Sequence, residues 1–312
     1  MRKIAATYIY PVNQPPIKNG ILTCTEDGTI IEISESNEKI TEQPGLEFYS
    51  GILVPGFVNA HCHLELSHLK GKVEEKTGIG GFIWQINQLR NQESENVEKA
   101  MQVADRKMWA AGTASVGDIS NSALTIKTKE KSKIFYHTFI ELFGFHPSRA
   151  QRAFDYSKFI QVQFNQKELP NSIVPHSPYS VSKPLFEKIT ENAINENSIL
   201  TIHNQESESE SEFYINGAGA IANHLTENLG IDISHWEPTG KSSLISVLKY
   251  IPEENQLLLV HNTFTTKEDL DELRKMRTIK NTFFVLCPNS NLYIENQLPP
   301  VPMFHKQKLN LC

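Results

Sequence analysis

The sequence predicts an α/β protein, a (β/α)8 TIM-like barrel over residues 55–312 behind a small all-β unit over residues 1–54. Three observations carry this expectation. From Leu53 onward, apolar strand-like segments alternate with amphipathic helical ones, the signature of parallel βα units. Counting from there gives eight strand segments, the number such a barrel uses. Several of them end in histidine, and in these barrels the chemistry sits at the C-terminal ends of the strands. A doubly wound sheet is the alternative, but Gly78-Ile79-Gly80-Gly81 lacks the spacing of a nucleotide loop and follows no strand.

Residues 21–24 and 29–33 are rich in β-branched side chains, and the Glu26-Asp27-Gly28 turn between them makes a hairpin. Gly51 to Asn59 enters the first barrel strand, which runs on into His61-Cys62-His63. Val97, Met101, Ala104 and Met108 share one helix face, and Gly112 serves as C-cap before a strand at 113–119. Further strands are expected at 135–145 and 172–181, followed by a helix with Leu185, Ile189 and Ala193 on one stripe. Apolar strands at 199–203 and 257–260 are closed by His203 and His261. An amphipathic helix at 266–279 and strands at 282–286 and 308–312 complete the series.

Composition narrows the function. A net charge of −6 with acids and bases interspersed gives no basic patch for nucleic acid or an anionic membrane, which leaves small-molecule substrates. Four scattered cysteines without Cys-x-x-Cys spacing argue against a zinc ribbon, a redox pair or a disulfide framework, and fit a reduced cytoplasmic setting. No apolar run suits a signal peptide or a membrane helix.

Side chains two residues apart on a strand point to the same face, so His61 and His63 can grip one ion. His203 supplies a third ligand, and three protein ligands with an open position are the habit of a catalytic zinc or iron site. Each histidine alone is as well explained by a structural role. Several at one end of successive strands, with His176 and His261 among them, are harder to dismiss. Glu206, three residues beyond His203, is placed to shuttle protons; its alternative is a solvated acidic face made with Glu208, Glu210 and Glu212. His-Glu-x-x-His, Gly-x-Ser-x-Gly and Walker sequences are absent, and Cys287-Pro288 has the wrong order and spacing for the small zinc deaminases.

Five segments together resemble the amidohydrolase superfamily, in its cytosine-deaminase-like and chlorohydrolase-like branch. They are Pro-Gly-Phe-Val-Asn-Ala-His-Cys-His at 55–63, Pro-His-Ser-Pro-Tyr-Ser-Val-Ser at 175–182, His-Asn-Gln-Glu-Ser at 203–207, Leu-Leu-Val-His-Asn at 258–262 and Cys-Pro-Asn-Ser-Asn at 287–291. The resemblance implies a barrel flanked by a β-sandwich formed from both chain ends. It also implies a single divalent ion, Zn2+ ahead of Fe2+, on His61, His63 and His203, with Glu206 as proton shuttle and His261 polarising the hydrolytic water. His-Leu-Glu-Leu-Ser at 63–67 is similar to the aminodeoxyfutalosine deaminase subfamily, which makes Glu65 and His176 candidate substrate contacts and offers Phe82 or Trp84 for ring stacking. Guanine deaminases, S-adenosylhomocysteine deaminases and chlorohydrolases share the scaffold and remain alternatives. The implied reaction is hydrolytic deamination of an amino-substituted, purine-like heterocycle, and a homodimer is a compatible assembly. Family members carry an aspartate just after the eighth strand, and the segment 308–312 precedes that point; the expectation is a C-terminally incomplete barrel, with an inactive fragment as the rival reading.

Overall fold

A computed structural model describes residues 1–35, 40–90 and 94–312, and the chain divides into two compact units, Met1–Phe57 and Val58–Cys312. The first unit is one four-stranded sheet in the order β3-β2-β1-β4, built from β1 (Arg2–Ile9), β2 (Ile17–Cys24), β3 (Ile30–Glu35) and β4 (Leu46–Leu53). The expected hairpin is present: β2 and β3 run antiparallel with Leu22 opposite Ile33, and Gly28 turns the chain at φ 91°. The second layer that a sandwich needs is not among the described residues. Gly51 to Leu53, expected to enter the barrel, instead complete β4, where Ile52 and Leu53 pair with Tyr8 and Ile9 of β1. Pro55, with no N–H to give to a ladder, separates β4 from the next strand.

Among the described residues eight strands follow: β5 (Phe57–Cys62), β6 (Thr113–Ser120), β7 (Phe135–Leu142), β8 (Asn171–Pro175), β9 (Leu200–Asn204), β10 (Leu257–His261), β11 (Thr282–Val285) and β12 (Asn310–Leu311). They form two four-stranded sheets in sequential order, β5 to β8 and β9 to β12. From β6 to β8 and from β9 to β12 every neighbouring pair is parallel. The two sheets meet where His203 N–H donates to the His176 carbonyl at 2.9 Å. Register pairs Val260 with His203 and His261 with Asn204, so β9 and β10 deliver their histidines at the same end.

Helices pack outside the strands for the reasons the pattern suggested. Helix Ser94–Ala110 buries Val97 and Met101, and helix Lys183–Glu196 buries Leu185, Ile189 and Ala193 before Asn197 ends it in the left-handed region at φ 48°. Helix Lys267–Met276 opens with a reciprocal cap between Thr266 and Asp269. The strand expected over 172–181 is shorter, because Pro175 ends β8 and Pro178–Ser180 turns into a short 3-10 helix. Phe164, Ile173, Leu185, Ile189, Phe213 and Phe284 anchor the main core, while Leu64, Val97, Met101, Val116, Ile134 and Tyr136 form a second cluster against Cys62 at the end of β5. Among the described residues no helix is long and apolar enough to cross a membrane.

Candidate active site

The C-terminal ends of β5, β9 and β10 bring four imidazoles together. His63 Nε2 lies 3.2 Å from His203 Nε2, and one ring nitrogen each from His61, His203 and His261 lie within 4.8 Å of one another. Burial and the neighbouring imidazoles hold His61, His63 and His176 well below the usual histidine range, and burial brings His203 and His261 to about 4. All five are therefore neutral near pH 7, with a lone pair on each ring. His203 Nδ1–H donates to the His176 carbonyl at 2.8 Å, which turns the Nε2 lone pair towards His63. His61 Nδ1 is buried with no hydrogen-bond partner. Converging neutral imidazoles, one with an orphaned nitrogen, are a donor set that fits a divalent cation. His261 joins His61 and His203 in this group, with ring centroids 5.8 and 5.5 Å from theirs, against 4.9 Å from His61 to each of His63 and His203.

Glu206 is buried rather than solvated, and its Oε1 lies 3.3 Å from His261 Nε2. Burial raises its carboxyl to about 7, so both protonation states are populated near neutrality. On the far side of His261, Nδ1–H points at Asn291 Oδ1 at 3.5 Å, and the Asn291 amide donates to Thr263 Oγ1. That leaves His261 Nε2 as the acceptor for the Glu206 proton. The chain reaches this geometry through left-handed residues: Gln205 at φ 45°, His261 at φ 76° and Asn262 at φ 58°. Asn262 is tied down by its side-chain amide on the Leu259 carbonyl at 2.7 Å and by Asn204 Nδ2, which donates to Asn262 Oδ1 at 3.0 Å.

Glu210, expected on a solvated face, is fully buried. Its two oxygens accept the Gln205 and Glu206 N–H groups at 2.9 and 3.3 Å, so it holds the backbone that carries Glu206. The sequence held a signal for it: Ser207-Glu208-Ser209-Glu210 has capping-box spacing, and Ser207 does cap the helix Glu208–Asn216. Glu141 on β7 was missed altogether. It is buried, its Oε1 accepts from Asn121 Nδ2 at 3.0 Å, and its Oε2 has no partner while lying 3.9 Å from both His176 Nε2 and His203 Nδ1. Burial lifts its carboxyl to about 8. A single acid inside the apolar run Phe-Ile-Glu-Leu is the signal that would have found it.

A cavity of about 470 Å³ opens onto these groups, lined among others by His61, Phe82, Asn121, Glu141, His176 and Glu206. His176 is fixed by Ser177 and Ser180 hydroxyls at 3.0 Å from Nδ1 and packs against Phe143, with ring centroids 4.2 Å apart. Glu65 does not line the cavity; its carboxylate accepts from Asn121 N–H at 3.2 Å and Ser122 Oγ at 3.1 Å, and so stands behind Asn121. Trp84 is half exposed and outside the lining, whereas Phe82 is part of it.

Parallel strands that deliver histidines and a buried acid to one end define an α/β protein with a candidate metal centre at its strand termini. The chain belongs to the amidohydrolase family, whose model, "Amidohydrolase family", matches residues 52–311. An adenosine deaminase of Helicobacter pylori is 29% identical over 280 residues, covering 87% of this chain and 66% of that protein. An aminodeoxyfutalosine deaminase of Nitratiruptor sp. is 25% identical over 261 residues, covering 79% of this chain and 59% of that protein. The chain thus spans less than two thirds of the length of these curated relatives. Among solved structures, the aminofutalosine deaminase of Helicobacter pylori in complex with methylthio-coformycin superposes with a TM-score of 0.82 at 23% identity, over 100% of this chain and 76% of that one. Guanine deaminase from C. acetobutylicum, with guanine bound, gives 0.70 at 15% identity, over 99% of this chain and 73% of that one. Both structural likenesses show the fold.

Proposed function

We propose that this chain carries the active site of a hydrolytic deaminase that removes ammonia from an amino-substituted, purine-like heterocycle with the help of one divalent ion. The observation that carries the reading is the pairing of neutral, converging imidazoles with a buried Glu206 that titrates near neutrality, 3.3 Å from His261. His61, His63 and His203 are read as the ligands, zinc as the ion and iron(II) as its alternative. Deaminase relatives and a cavity in the size range of small-molecule pockets support the substrate class. The two parallel sheets are read as arcs of one (β/α)8 barrel over 55–312, and residues 1–54 as part of a sandwich domain. A cytoplasmic setting is carried over from the cysteine usage.

When bound, the ion supplies Lewis acidity that brings the pKa of a water from about 15.7 towards 7. Glu206 does the proton work: Oε1 takes one proton from the attacking water and passes it to a ring nitrogen, then takes the proton of the new hydroxyl and passes it to the amine, which leaves as ammonia when the C–N bond breaks and the carbonyl forms. His261, held by Asn291, presents Nε2 to Glu206 Oε1 and keeps the carboxyl oriented between transfers. His176 and Asn121 offer polar contacts to the heterocycle edge, with Glu65 bracing Asn121 from behind and Phe82 as the apolar wall.

Ammonia release from a panel of aminated purines and their nucleosides, measured on the metal-loaded chain, tests the reading. Glu206→Gln should keep one metal ion per chain and lose about 10²–10⁴ in kcat. A rate equal to that of the parent would move the shuttle to another group, and no ammonia from any aminated purine would sink the substrate class.

A further inference from the structure

Beneath the His61-Cys62-His63 segment lies a buried ion pair that the chemistry above does not use. Asp118 Oδ2 on β6 lies 2.6 Å from Lys129 Nζ, and both side chains are inaccessible to solvent. Lys129 Nζ also donates to Thr138 Oγ1 on β7 at 2.8 Å and sits near the rings of Tyr136 and Phe164, 5.4 and 5.2 Å from their centroids. These contacts hold the ammonium, and through it one oxygen of Asp118. The other oxygen, Oδ1, accepts the backbone N–H of Leu64 at 2.7 Å, immediately after His63, and the Cys62 thiol lies against the same carboxylate. Leu64 N–H starts a 3-10 turn, has no partner inside it, and receives no cap from the His63 side chain. Stability alone does not favour a buried ion pair over apolar side chains of similar volume. What apolar side chains could not offer is a fixed acceptor for Leu64.

We propose that Asp118, held in place by Lys129, is a positioning residue for the candidate metal centre: it fixes the backbone from His61 to Leu64 so that both imidazoles converge on His203, given that these three histidines are the ligands. Neutral and apolar replacements of the pair separate positioning from core stability. Asp118→Asn with Lys129→Met removes both charges but leaves an oxygen facing Leu64 N–H. Asp118→Leu with Lys129→Met fills the space and offers no acceptor.

Zinc affinity is read on the metal-free, 312-residue chain by competition with a chromophoric chelator, alongside metal-free melting temperature. The Asn/Met variant should bind zinc like the parent, whereas the Leu/Met variant should bind about 10–100-fold more weakly, the range seen when outer-shell partners of ligands are lost. That gap should persist where the two variants melt alike. Equal zinc affinity in both, or a loss that simply follows melting temperature, would overturn the proposal. If Leu at 118 prevents folding, Asp118→Val with Lys129→Met makes the same comparison with less volume to place. His203→Ala runs beside them: undiminished zinc binding there removes the ligand set itself, whereas a loss there with tight binding in the Leu/Met variant removes only the role of Asp118.

Discussion

Glu206 and Glu141 are two buried acids of one cavity whose protons are held for the same reason, the cost of placing a carboxylate away from water. Glu141 offers the cleaner test, because Oε1 is satisfied by Asn121 and Oε2 has no partner. Its folded value of about 8 lies above the ordinary 4.5, so folding takes up a proton between those limits and stability declines as pH rises through them. Glu141→Gln removes that dependence. In metal-free protein the melting-temperature difference between variant and parent should move in favour of the variant from pH 5 to pH 8 and then level off; a pH-independent difference would place the proton elsewhere. At this scale the histidines were legible because their positions at strand ends announce a common rim. Glu141 and Glu210 were not, because reading an acid as solvated is right for most acids, and only the fold shows which helix turn or strand face is closed over.

Among elements, β5 lies close against β6 at Gly117. A Cβ there would lie 2.6 Å from the Ala60 carbonyl oxygen, a backbone atom that cannot rotate away. Gly117→Ala should therefore push β5 outward one residue before His61. The expected cost is about 1–3 kcal/mol, as for an overpacked core, with metal affinity falling in parallel. Unchanged melting and unchanged zinc binding would show that the strands separate freely. Strand and helix identity were readable from periodicity, and the errors lie at boundaries. Gly51 to Leu53 look like the lead-in to the barrel because they are continuous with an apolar run, yet pairing with β1 claims them. The reach of β8 was overread: His176 N–H and C=O still bond to Leu142 and His203, but Pro178 has no N–H to give and opens the 3-10 turn Pro178–Ser180.

For the molecule as a whole, the proposed ligands come from both sheets of the second unit, His61 on β5, His63 just after it and His203 on β9. An ion held by all three joins the sheets at a second point beyond the His203–His176 backbone bond. Because it binds only the folded chain, zinc at 1,000 times its dissociation constant should stabilise the protein by about 4 kcal/mol. Scanning calorimetry should show one transition moving upward with zinc, and His63→Ala should abolish the movement. A shift unchanged in that variant would put the ion elsewhere. The left-handed residues at the rim set a different kind of limit, one on sequence variation. Two successive residues, His261 and Asn262, reverse the chain where a β-branched side chain would clash with its own backbone. In a library randomised at position 262, folded and metal-binding members should therefore be drawn from Asn, Asp and Gly, with Val and Ile missing, so that the rim tolerates change in what it contacts far more readily than in how it bends.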